Sequence, residues 1–134
     1  MGEALRYIGI ARMAGGIETG EENSRALVRS GKAVLLILAA DASPGAKRRA
    51  EGYVYETNVP LLETPYQKSE LSAISGRPGC SMAAFTNPGL AAGFAEALST
   101  EYGEPYRLVA ERLAAKRERA KRRAMKSGKR RKHA

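Results

Sequence analysis

Apolar residues in this chain are either spaced three or four apart or gathered into short unbroken runs, and the two patterns alternate. Ala4, Tyr7, Ile8 and Ala11 share one face of a helix predicted over 3–14, which Gly15-Gly16 ends. Ile17-Glu18-Thr19 suits a short strand. A second helix opens at Gly20, carries Glu21 and Glu22 in the first turn where the helix dipole favours acids, and stops at Ser30-Gly31. Ala33 to Ala40 is continuously apolar, as in a strand covered on both faces. Ser43-Pro44 offers an N-cap and a first-turn proline to a third helix with Ala46, Ala50, Tyr53 and Val54 inward. Val59 to Glu63 predicts another strand, with Pro60 tolerated near its start. A short helix over 66–75 is anchored by Leu71 and Ile74, Gly76-Arg77-Pro78-Gly79 is a loop, and Cys80 to Phe85 is a strand of small residues. Asn87-Pro88 repeats the cap-then-proline signal before Leu90, Phe94, Ala97 and Leu98 at helical spacing.

Helices alternating with short strands imply an α/β fold. The expectation is a three-layer α/β/α sandwich around a mixed, mostly parallel four-stranded sheet. No internal repeat is visible. At 43 % apolar residues in 134, the chain can fill a core. A body of about 100 residues buries roughly two thirds of its unfolded surface and needs no staple. Cys80 is the single cysteine, so no intramolecular disulfide forms, which fits a reducing compartment. Met1 to Arg6 has no apolar run long enough for a signal peptide, and Ala33 to Ala40 is too short to span a bilayer. A cytoplasmic protein without a membrane partner is expected.

Charge divides the chain. The formal net charge is +9. Residues 111–134 hold twelve Lys/Arg against Glu111 and Glu118, while 1–110 hold eleven Lys/Arg against twelve acids. The basic character therefore belongs to the C-terminal segment, and such asymmetry points to a polyanion, most often nucleic acid. A body over 1–103 and a basic tail over 104–134 are the expected domains. A helix is expected over 104–124, exposed beyond Leu113, with disorder over 125–134, where there is almost nothing to bury. No aromatic residue lies among the tail cations, so contact would be electrostatic rather than by stacking.

The stretch from Gly20-Glu21-Glu22-Asn23-Ser24-Arg25 to Gly31-Lys32-Ala33, followed by an apolar strand and Ala40-Asp41-Ala42-Ser43-Pro44, resembles the ribosomal protein L7Ae/L30e superfamily, whose members bind kink-turn RNA. Asn58-Val59-Pro60-Leu61 and Lys68-Ser69-Glu70-Leu71 are similar to that family's Val-Pro strand and Lys-x-x-Leu helix. The likeness covers about residues 4–98 and is strongest to short bacterial members found beside translation-factor genes. It implies a monomeric RNA-binding protein, ribosomal or ribosome-associated, with its RNA edge at Gly20, Glu22, Asn23, Arg25 and Arg29, and at Arg77 in the loop before the last strand. Family kink-turn binders open the second helix with Gly-x-Asn-Glu-x-x-Lys. Here Glu22 and Asn23 are transposed and Ala26 replaces the lysine, so a standard kink-turn is expected to bind more weakly. Tail cations Lys116, Arg117, Lys121, Arg122, Arg123, Lys129, Arg130, Arg131 and Lys132 are expected to hold RNA phosphates.

The helix start also has a physical basis as a binding edge, because free N–H groups there donate to phosphate or base oxygens. Glu22 can accept from a base amino group, Asn23 can donate and accept, and Arg25 and Arg29 share one face. The same residues also suit a helix with dipole-complementing acids and a solvated basic face. Lys47-Arg48-Arg49 reads equally as a basic rim or a solvated face. Cys80 reads as a small buried hydrophobe, and with one histidine, His133, near the chain end, no metal-ligand spacing or Cys–His pair arises. No phosphate-loop motif is present, and no enzyme or cofactor is expected. Two other functions fit the tail and body: a sequence-tolerant DNA-binding nucleoid-type protein, and the RNA-recognition subunit of an RNA-modifying enzyme.

Overall fold

The computed structural model describes residues 2–133, with side chains through Ser127. The elements follow as α1 Glu3–Ala14, β1 Ile17–Thr19, α2 Glu21–Arg29, β2 Leu35–Leu38, α3 Pro44–Val54, β3 Leu61–Glu63, α4 Lys68–Ser75, β4 Met82–Phe85, α5 Pro88–Tyr102 and α6 Arg107–His133, the last entered through a 3-10 turn at Glu104–Tyr106. Local chemistry fixes the ends. Gly15 closes α1 in the left-handed conformation at φ 73°. Ser43 Oγ accepts the Ala46 N–H at 3.0 Å, and Asn87 Oδ1 accepts that of Leu90 at 3.0 Å, so both cap-then-proline signals open helices. Gln67 and Glu70 form a reciprocal capping box on α4.

The four strands lie in the order β1-β4-β2-β3. Period-two alternation sends their side chains into two separate cores. Leu35, Ile37, Ala83 and Phe85 face α1, α4, α5 and α6, where Phe85 and Phe94 stack with centroids 5.2 Å apart. Leu36, Leu38, Met82 and Ala84 face α2 and α3 through Val28, Ala46 and Ala50. The three-layer α/β/α sandwich is therefore observed. The mostly parallel sheet is not: β2 pairs with β3 in parallel, but β4 is antiparallel to both β1 and β2. All four residues of β2 and of β4 are buried, so their unbroken apolar runs mark central position and carry no information on direction. β3 and β4 are also shorter than the runs that predicted them. Pro60 and Cys80 lie just outside, where a ladder donor is not required of the proline.

The C-terminal segment differs more. Residues expected without structure continue α6 to His133. Ala, Arg, Lys, Glu and Met are strong helix formers, and the helix extends from turns already packed on the body. Ala110 and Leu113 enter the larger core, Leu113 at 1 % exposure. Tyr102 joins Tyr66 and Tyr106 edge to face, each pair with centroids 6.2 Å apart, at the bend between α5 and α6. Arg117 reaches Glu96 of α5. Alongside β3, Tyr106 Oη donates to the Glu63 carbonyl at 3.4 Å and Arg112 donates to that of Asn58 at 3.5 Å. The 3-10 turn thus meets the end of β3 and α6 reaches the residues ahead of it, so the segment passes this edge strand in the opposite sense.

Candidate nucleic-acid interface

Gly20 joins β1 to α2 at φ 100° and ψ 153°, a conformation that side chains strain to adopt. Its N–H donates to the Met82 carbonyl at 2.9 Å, which pins the start of α2 against the first residue of β4. The Ser24 hydroxyl donates back to the Gly20 carbonyl at 2.7 Å. The opening of α2 is therefore rigid, and it sits at the sheet end where β1 and β2 finish and β4 begins.

The acids and amide of this opening have separate roles. Glu21 is taken up by the fold: Arg49 Nε and its terminal nitrogen donate to the two carboxylate oxygens at 2.6 and 3.0 Å, and the Tyr53 hydroxyl donates as well. These bonds from Arg49, then Tyr53, hold the Glu21 carboxyl below the usual carboxylate range, while the anion pushes the Tyr53 phenol up. Glu22 and Asn23 are exposed. Asn23 Nδ2 donates to the Thr19 carbonyl at 3.1 Å, which orients the amide and leaves its oxygen outward. Behind them Arg25 and Arg29 are exposed and line one hollow with Glu22, Asn23 and Ala26.

Arg77 comes from the loop before β4. A second cleft of about 330 Å³ runs along the open edge of β1, and Arg77 lines it together with Arg12, Glu18 and Thr19. Gly20, Glu22, Asn23, Arg25 and Arg29 come from one stretch of chain, and Arg77, from a distant loop, lines the cleft along β1, the strand that Gly20 continues. Arg12 is a member that the sequence did not reveal. It donates to the Ile74 carbonyl at 3.4 Å, and only its place in the last turn of α1 hinted at exposure. Of Lys47-Arg48-Arg49, Lys47 pairs with Glu63 at 2.8 Å and Arg49 with Glu21, while Arg48 is exposed.

Residues 3–94 match the model described as the ribosomal protein L7Ae/L30e/S12e/Gadd45 family. The chain belongs to this family. A curated relative, the RNA-binding protein YlxQ of Enterococcus faecium, is 33 % identical over 76 residues, or 57 % of this chain and 73 % of that protein. Among solved structures, a Bacillus halodurans C protein of unknown function superposes with a TM-score of 0.68 at 21 % identity, covering 74 % of this chain and 99 % of the other. The Giardia lamblia 15.5kD RNA binding protein gives a TM-score of 0.61 at 23 % identity, covering 73 % and 83 %. Both likenesses concern the fold.

The tail residues lie outside the family match and have divided roles. Arg117 is half-buried and paired through one terminal nitrogen with Glu96. Lys121 is 3.7 Å from Glu118. Arg122 and Arg123 are exposed, and Lys116 is half-buried. Lys129, Arg130, Arg131 and Lys132 lie outside the described side chains. Cys80 is buried, with its thiol 3.6 Å from the Met82 carbonyl. Among the described residues, no group of three or more His, Cys, Asp or Glu could hold a metal ion, and no helix is long and apolar enough to cross a membrane.

Proposed function

We propose that this chain is a ribosomal or ribosome-associated RNA-binding protein of the L7Ae family that docks the opening of α2 on a structured RNA while the cations of α6 hold neighbouring phosphates. The observation that carries the reading is the division of labour at that opening. Arg49 and Tyr53 occupy Glu21, whereas Glu22 and Asn23 stand exposed in one hollow with Arg25 and Arg29. A carboxylate and an oriented amide can discriminate base edges, and the arginines supply phosphate contacts that position without specifying. The relative YlxQ is an RNA-binding protein, which supports the RNA-binding part of this reading. Transposition of Glu22 and Asn23 and the loss of lysine at Ala26 argue for an RNA that differs from a standard kink-turn.

The test is a titration of a kink-turn, a control hairpin lacking G·A pairs and a single strand. Glu22→Ala with Asn23→Ala should weaken the structured target by about 1–3 kcal/mol for each well-formed base pairing removed, and spare the single strand. Removal of 121–134, which leaves Leu113 and Arg117 in place, should lower affinity for all RNAs and flatten its salt dependence by roughly 0.7–0.9 for each phosphate no longer neutralised. Equal affinity of the parent for all three RNAs would mean that the fold persists without a specific site.

A further inference from the structure

Where Asn58 and Pro60 lead into β3, α6 and the edge strand part and leave a hollow of about 320 Å³, within the roughly 300–1,000 Å³ of small-ligand clefts. Pro60 and Leu113, both buried, close its floor, and Arg112, Lys116 and Arg119 line it with charge. The three cations are spaced four and three apart, so they share one helix face over about 10 Å. Arg107 pairs with Glu104, Arg117 with Glu96 and Lys121 with Glu118, while Arg122, Arg123 and Lys126 are exposed and do not line this hollow. Among the described residues no acid pairs with Arg112, Lys116 or Arg119. Burial, then Arg112 and Arg119, push the Lys116 ammonium down from its ordinary value. Three like charges held beside one cavity disfavour the folded state by mutual repulsion, and an anion seated among them reverses that sign.

The hollow is also remote from the α2 edge. Leu61 of β3 pairs with Leu36 near the start of β2, whereas Gly20 meets Met82, which pairs with Leu38 at the other end of β2. The hollow and the α2 edge therefore open at opposite ends of the sheet. We propose that this hollow is a second RNA-binding site, in which Arg112, Lys116 and Arg119 each hold a phosphate of one RNA backbone. This inference rests on the RNA-binding reading and adds a defined place to it: a single RNA must pass around the body to reach both sites, or two RNA segments are bridged.

The experiment uses the full chain. A triple variant, Arg112→Gln, Lys116→Gln and Arg119→Gln, is compared with a charge-matched control, Arg122→Gln, Arg123→Gln and Lys126→Gln, in single-strand RNA titrations across a salt series. The groove variant should lose about 2 from the slope of log affinity against log salt, at roughly 0.7 per neutralised single-strand phosphate, and the control less than half as much. In a second measurement on the parent, an amine-acylating reagent is applied with and without saturating RNA. RNA should protect Lys116 several-fold more than exposed Lys126. Equal slope losses with equal protection would overturn the groove alone, while a parent without salt-dependent RNA binding would overturn the RNA reading itself.

Discussion

Replacing Leu113 with alanine tests whether α6 is part of the cooperative fold. Leu113 is 1 % exposed and is the last large apolar side chain of this helix in the core. The change removes about three carbon groups, each worth roughly 0.8 kcal/mol of transfer free energy. A cavity adds to this, since α6 is held on one side by Arg117 and Glu96 and on the other by Tyr106, which limits collapse. The expected loss is about 3 kcal/mol, a large share of the roughly 5–15 kcal/mol typical of a domain. It should lower the melting temperature by about 10 °C. Urea unfolding followed by circular dichroism gives the value, and an unchanged m confirms a single transition. A loss below about 1 kcal/mol would contradict cooperative docking, because α6 would then unfold independently of the body. The same packing bears on deletions: one beginning at residue 111 removes Leu113 along with the cations and confounds stability with binding.

Two further perturbations address the neighbouring elements. Glu21 has its carboxyl held below its ordinary value of 4.5 in the fold, so the stabilisation is present above that pH and is lost as pH falls through the lower folded value. Glu21→Gln should therefore be less stable than the parent at about pH 6 and converge with it only as pH falls through the lowered folded value, a trend that urea midpoints across pH would measure; a constant difference would exclude the linkage. Cys80→Ser places a hydroxyl in a buried site and should cost about 1–2 kcal/mol while leaving RNA affinity within a few-fold, and abolished binding in a folded variant would assign the thiol a functional role.

Local signals in the sequence carried much of the fold. Ser43-Pro44 and Asn87-Pro88 located two helix starts, and the runs around Leu36 and Ala84 located both central strands. Direction was not legible, because a strand buried on both faces has the same composition whichever way it runs. Docking of α6 was hidden for a different reason. Ala110 and Leu113 are the sparse apolar residues of a segment dominated by charge, and their burial depends on a surface formed by α5. The candidate edge was partly legible through Gly20, Glu22 and Asn23. The capture of Glu21 by Arg49, 28 residues on, and the approach of Arg12 to Arg77 arise only from tertiary packing.

The continuity of α6 has a mechanical consequence. Its 27 residues make a rod of about 40 Å, rooted where Leu113 and Arg117 meet the body. A flexible chain with the same charges would search a volume and adapt to any polyanion. A rod anchored at one end points in a single direction, so its reach works as a ruler. An RNA surface that runs straight along that direction meets the whole length, whereas one that curves away meets only the root.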